Sequence, residues 1–169
     1  KSESLLALGR GGRWTMYQPG TPGYSKHDPV MRWALPDRVF FACGACHILA
    51  EAFLERYGEA GHRIIWIRPK PGFWGNHIFV EGAGWVFDFH GYSRRDRFIA
   101  HEWKTACRYW PGWDADLIEI PRAVLTSTPR SHEIPGLWLM QPDLFLHNAL
   151  PRARDYLNRL PAPPALTKD

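Results

Sequence analysis

The chain has few cysteines and no long hydrophobic run, and each absence excludes a class of protein. Three cysteines in 169 residues are too few for a disulfide-stabilised scaffold. Because their number is odd, at least one thiol stays unpaired unless a metal, a cofactor or another chain takes it. No stretch approaches the ~20 consecutive apolar residues that a membrane-spanning helix requires. We therefore expect no membrane span and at least one thiol available for chemistry.

A strong excess of charge of one sign is also lacking. The chain has 21 Lys and Arg against 17 Asp and Glu, and these basic residues form no stripe interleaved with aromatic residues. Nucleic-acid grooves typically show such a stripe, so we expect no nucleic-acid partner. The hydrophobic fraction is 45% and the charged fraction 22%, which predicts a soluble, packed single domain spanning residues 1–169.

Hydrophobic periodicity predicts an α+β fold in which a helix packs on a small antiparallel sheet. Apolar residues spaced at i, i+3 and i+4 from Cys46 to Tyr57 predict a helix that ends at Gly58. Two apolar runs flank Gly82-Ala83-Gly84 and predict a β-hairpin. The runs are His77–Glu81 and Trp85–Phe89; the other expected elements are a strand at Arg63–Arg68, a helix at Phe98–Trp110, a strand at Asp116–Ile120 and a helical stretch from Pro142 to Leu160, kinked at Pro151.

The composition divides the chain into three parts. Residues 1–37 are predicted to be irregular, residues 38–92 hold the helix and hairpin, and residues 93–169 form a helical and irregular C-terminal part. Long irregular segments in compact domains are commonly functional. We therefore expect Gly9–Pro36, together with the aromatic-rich Trp103–Trp113, to form the walls of a cleft.

The run Cys43-Gly44-Ala45-Cys46-His47 is the most informative local feature. If the helix begins near Cys46, its thiol lies in the first turn, where free backbone N–H groups and the helix dipole stabilise a thiolate. His77 and Asp88 fall on the two strands of the predicted hairpin, and one residue of slack in register brings them together on one face. This predicts a Cys46–His77–Asp88 triad, with the carboxylate orienting the imidazole that takes the thiol proton.

This order, Cys at a helix N-terminus followed by His and Asp on successive strands, resembles papain-like and transglutaminase-like cysteine enzymes. The run from Cys43 to His47 is similar to the Cys-Gly-Ser-Cys-Trp run of papain, whose second cysteine is the nucleophile. Residues 40–92 also look like small bacterial and phage-type proteins of this fold. The matching segments are Cys46-His47-Ile48-Leu49-Ala50, His77-Ile78-Phe79-Val80 and Asp88-Phe89-His90-Gly91.

The resemblance implies a papain-like fold and a hydrolase or acyltransferase acting on an amide bond without a cofactor or metal: a peptidase, a deamidase or a transglutaminase-type enzyme. Its substrate would be a protein or peptide. Small stand-alone domains of this family often serve as bacterial toxins or effectors, which implies cytoplasmic action or delivery into a target cell's cytoplasm, and a cognate inhibitor or immunity protein as a further partner.

One family feature is missing, because no Gln lies between Gln18 and the nucleophile to act as the oxyanion donor. The Cys46 backbone N–H is then the first candidate donor, with Gln18 or Asn76 as supplements. Cys43 and His90 are further candidates for supporting the site.

Two other interpretations of the Cys43–His47 run remain open from sequence. A strand at Val39–Ala42 followed by Cys-x-x-Cys and a helix is typical of a thioredoxin-like disulfide oxidoreductase, in which Cys43 attacks and Cys46 resolves. Cys-x-x-Cys-His is also the c-type haem attachment signature, with His47 and Met140 as axial ligands.

A zinc site or a module without catalytic activity would use the same residues differently. Cys43, Cys46, His77 and His90 could supply four ligands, although their spacing is not typical of zinc sites. In a non-enzymatic binding module the cysteines would simply pack in the core, and His77 and Asp88 would be a hydrogen-bonded pair at a strand edge.

Overall fold

The computed structural model describes residues 23–164 and shows a mixed α+β fold built on one five-stranded antiparallel sheet. The strand order is β4-β3-β2-β1-β5, and every neighbouring pair is antiparallel. The helices are α1 Pro29–Trp33, α2 Asp37–Ala42, α3 Cys46–Tyr57, α4 Arg95–Tyr109, α5 Thr128–His132 and α6 Ala149–Leu157, and the strands are β1 Arg63–Pro69, β2 His77–Glu81, β3 Trp85–Asp88, β4 Gly91–Arg94 and β5 Ala115–Glu119.

The predicted helix from Cys46 to Tyr57 is confirmed as α3, and it ends at Gly58, whose φ is 77°. The periodicity indicates one buried face, whereas every residue from His47 to Leu54 is buried. The reason is that α3 packs on β2 and β3 on one side and contacts α2 and α6 on the other. A helix enclosed by a sheet and two helices buries nearly its whole circumference.

The predicted hairpin is confirmed as β2 and β3, with Val80 paired to Phe87 and Glu81 to Val86. Its turn requires glycine at position 82, because a Cβ there would lie 2.2 Å from the Trp85 ring. Extending this register places Asp88 opposite Phe79, so His77 and Asp88 are diagonal neighbours on the same face of the sheet.

Helix α4 packs on the sheet face opposite α3. Its Phe98 and Ala106 join Ile65, Phe79 and other buried residues in a second apolar cluster. Trp113, after α4, is a buried member of this cluster, so within the predicted cleft wall Trp103–Trp113 this ring belongs to the core. Trp113 is 3% exposed and packs in the core because its neighbours present apolar surface on that face.

The remaining differences from the sequence predictions have local causes. Val39–Ala42 belongs to α2 and is not a strand. Part of the predicted irregular segment forms α1, whose N-terminus is capped by the Asp28 side chain, which accepts from two backbone N–H groups. The predicted C-terminal stretch is interrupted before Pro151, which lies in the first turn of α6, where proline is tolerated. Among residues 23–164, no helix combines the length and hydrophobicity needed to cross a membrane.

Candidate functional site

The Cys46 thiol occupies the first residue of α3, as the sequence predicts. It is half-buried and forms no disulfide, whereas Cys43 before it is buried. Backbone N–H groups in the first turn of a helix have no intrahelical partner, so the Cys46 N–H is a donor close to its own sulfur. This arrangement favours negative charge at the thiol and at any oxyanion formed beside it.

The turn before Cys46 is held by Arg32, a residue that sequence reasoning missed. Arg32 is only 7% exposed, and its Nη2 donates to the Gly44 carbonyl at 2.7 Å. Gly44 has φ of 99°, and a Cβ there would lie 2.9 Å from Arg32 Nη2. The guanidinium also lies 4.6 Å from the centre of the Phe145 ring. Arg32 and Gly44 therefore fix the turn that presents the thiol.

His77 and Asp88 form a buried pair next to this thiol. His77 Nε2 lies 3.1 Å from Asp88 Oδ2, and the two residues are 1% and 4% exposed. The carboxylate also accepts the His90 backbone N–H at 2.9 Å and contacts the His90 ring at 3.2 Å. Because Nε2 donates to Asp88, the His77 Nδ1 atom is the one available to Cys46, and the interaction with His77 lowers the pKa of the thiol.

The electrostatics of these groups favour a thiolate–imidazolium pair. Burial raises the pKa of the Cys46 thiol, but hydrogen bonds and charge interactions with His47 and His77 outweigh it and lower the pKa to about 5. Burial also disfavours a charged His77, but its contacts with Asp88 and Cys46 hold the His77 pKa well above the usual value. The pKa of Asp88, despite burial, is lowered to about 2 by His77 and His90.

A second imidazole, that of His47, also contacts the Cys46 sulfur. His47 is 2% exposed, and its Nε2 lies 2.7 Å from the Met140 carbonyl oxygen, to which it donates. The i+4 pairing of His47 with Glu51 expected from helical spacing does not form, because Glu51 accepts from Arg122. With Nε2 donating to Met140, Nδ1 is the ring nitrogen of His47 that is left to interact with Cys46.

Two isosteric substitutions separate these two contacts of His47. The amide nitrogen of Gln reaches about as far as Nε2, so His47→Gln keeps the bond to Met140 and loses the nitrogen at Cys46. His47→Asn keeps a polar atom near the position of Nδ1, toward Cys46, and loses the bond to Met140. We expect His47→Gln to raise the midpoint of the pH profile of Cys46 alkylation by about one pH unit or more with little change in Tm. His47→Asn should preserve the midpoint but lower the Tm by several degrees, because it leaves the Met140 carbonyl without its hydrogen-bond donor. An unchanged midpoint in His47→Gln would show that the contact with the sulfur does not stabilise the thiolate.

The supporting candidates have different positions. Gln18 lies outside the described residues. The Asn76 side chain accepts from Trp66 Nε1 at 2.8 Å through its oxygen, which leaves the NH₂ group of this exposed residue, directly before His77 in the chain, as a donor. His90 contacts Asp88. Cys43 is 2% exposed, and burial raises its pKa to about 12, so it is a core residue and not a second reactive thiol.

The structure lacks the features that the alternative interpretations need. A disulfide oxidoreductase requires a strand before Cys43 and a thiolate at Cys43, and neither is present. For haem, Cys43 is enclosed in the core, while Met140 contacts Arg32 through its sulfur and His47 through its carbonyl. Within the described part of the chain, no three His, Cys, Asp or Glu side chains are grouped so that they could hold a metal ion, so the four-ligand zinc site is not formed.

Comparison with known proteins identifies no relative: no family model matches the chain, and no curated protein or solved structure matches it significantly.

Proposed function

We propose that this protein is a small cysteine hydrolase or acyltransferase of papain-like arrangement, which attacks an amide bond through Cys46. One observation carries the proposal: the Cys46 thiol interacts with His77, whose Nε2 lies 3.1 Å from the buried carboxylate of Asp88. A nucleophile, a base and a group that orients the base are the three parts of a thiol acyl-transfer site.

The chemistry follows from the charges of the site. The Cys46 thiolate attacks the amide carbonyl carbon, and the carbonyl oxygen becomes an oxyanion for which the Cys46 N–H and the Asn76 NH₂ group are the candidate donors. The His77 imidazolium then gives its proton to the leaving nitrogen as the C–N bond breaks, which leaves a thioester. Neutral His77 next takes a proton from water or from an amine that attacks the thioester, and Cys46 is released.

The same triad serves three reactions that differ in substrate and acceptor. Water as acceptor gives peptide-bond hydrolysis or, on a Gln or Asn side chain, deamidation, whereas a primary amine gives transamidation. A peptide pool containing Gln, Asn and aromatic residues, incubated with and without putrescine and analysed by mass spectrometry, distinguishes chain cleavage, conversion of amide to acid, and amine incorporation.

The control for this experiment is a matched pair of cysteine variants. We expect Cys46→Ala to abolish whichever reaction is observed, and Cys43→Ala, which alters a core thiol three residues away, to retain it. A reaction that persists in Cys46→Ala would contradict the proposed function, as would a thiol at Cys46 no more reactive than the exposed Cys107.

A further inference from the structure

A cavity of about 390 Å³ lies between the end of β1 and the loop of residues 70–76 that leads into β2, the strand that begins at His77. Its position follows from the strand register, in which Ile67 pairs with His77 and Trp66 with Ile78. Asn76 lines the cavity and precedes His77 directly. Since consecutive Cα atoms are about 3.8 Å apart, the backbone of the cavity wall at Asn76 lies one residue from the backbone of His77. The lining residues are Trp66, Arg68, Pro69, Pro71, Phe73, Trp74, Asn76, Asp116 and Gly136.

The walls of this cavity are aromatic and fixed in place. The Trp74 residue is 38% exposed at the surface, and its backbone carbonyl accepts from Trp113 Nε1 at 2.7 Å. Trp66 is held by its hydrogen bond to Asn76. Exposed aromatic rings on an anchored loop give a stacking surface whose conformational entropy cost on binding is small.

The polar residues of the cavity disfavour a cationic occupant, and Arg68, the cation in its lining, is already paired with Asp116. Arg68 and Asp116 pair with each other at 3.0 Å, and Lys70 contacts the same carboxylate, so this wall carries two cations against one anion. A cationic side chain is therefore disfavoured. The Asn76 amide, with its oxygen committed to Trp66, presents N–H donors suited to a backbone carbonyl.

We propose that this cavity receives a neutral aromatic side chain of a peptide substrate, in the residue whose carbonyl Cys46 attacks. This inference rests on the proposed function and adds the substrate class. A volume of this size is at the lower end for ligand sites and suits one aromatic residue better than a large ligand.

Two affinity labels that alkylate the thiol test the specificity without requiring turnover: N-acetyl-phenylalanyl chloromethyl ketone and its alanyl counterpart. We expect the phenylalanyl label to alkylate Cys46 at least about tenfold faster than the alanyl label, because burying an aromatic side chain strengthens binding by about that factor. Trp74→Ala and Phe73→Ala should each bring the rate ratio closer to one. Tyr109→Ala, which removes a 62% exposed ring from the end of α4, is the matched control and should preserve the ratio.

Iodoacetamide labelling in parallel separates failure of this inference from failure of the proposed function. Rapid iodoacetamide labelling of Cys46 with equal rates for the two ketones would overturn the aromatic site and leave the triad intact. Slow labelling of Cys46 by all three reagents would contradict the triad itself. Thermal melting shows whether Trp74→Ala or Phe73→Ala has lost its fold. The ratio of the two ketone rates in the wild-type protein tests the aromatic site without relying on either variant.

Discussion

Replacing His77 with alanine should slow alkylation of Cys46 by iodoacetamide at about pH 6 by a hundredfold or more. The thiol pKa of about 5 makes Cys46 mostly thiolate at that pH. Removing one of the two imidazoles that offset burial should raise the pKa by about three units, and the thiolate fraction then falls to about one in a hundred. The wild-type rate should therefore persist to about pH 5, whereas the variant should react only in alkaline solution.

The chain provides its own reference for this measurement. Cys107 is exposed, so the ratio of Cys46 to Cys107 labelling, read by peptide mass spectrometry, cancels differences in reagent and handling. Cys43, whose pKa is raised to about 12, should stay unlabelled in the folded protein. A ratio that changes less than threefold between wild type and His77→Ala would show that His77 does not control the thiol.

Replacing Asp88 with asparagine should lower the turnover of an amide substrate by about 10³ to 10⁴ while the fold is kept. The wild-type carboxylate accepts the Nε2 proton of His77, which leaves Nδ1 to exchange a proton with Cys46. The Asn side chain can instead donate to Nε2 and place the ring proton on Nδ1, the tautomer that cannot accept a proton from sulfur. Single-turnover acylation of Cys46 across a pH range is the direct measurement, and the unaltered far-UV circular dichroism of the variant is the control.

The same substitution should change how stability depends on pH. The pKa of Asp88 is lowered to about 2 in the folded state. A carboxyl group with a depressed folded-state pKa contributes stability above its unfolded-state pKa of about 4 and loses it as the pH falls toward 2. We expect this contribution, about 2 kcal/mol, to be missing from the acid limb of Asp88→Asn in urea unfolding. If the unfolding free energies of the wild type and Asp88→Asn fall in parallel as the pH is lowered, this prediction is contradicted.

The parts of the site that the sequence predicts share a local cause. The spacing of apolar residues after Cys46 predicts α3, and the glycines at 82 and 84 predict the turn between β2 and β3. Since side chains alternate along a strand, the pairing of His77 with Asp88 then follows from the hairpin register. These inferences need only interactions between residues close in the chain.

The predictions that failed concern segments whose conformation depends on distant neighbours. Val39–Ala42 is apolar enough for a strand or a helix. It forms part of helix α2 because it packs against α3 and α6. Strand β4 carries no apolar alternation in the sequence, and it forms because the turn after Asp88 returns the chain alongside β3. The aromatic residues after α4 are buried because the second face of the sheet is apolar.

By itself, the sequence determined that Cys46 begins a helix and that His77 and Asp88, the other members of the proposed triad, lie on adjacent strands, because helix periodicity, strand alternation and a glycine turn are all local. Only the tertiary structure decided what surrounds that triad. His47 meets the Met140 carbonyl, Arg32 holds Gly44, and the loop before β2 lines a cavity. Those contacts join segments far apart in the chain, and no local pattern records them, because burial and hydrogen-bond pairing are properties of the folded packing.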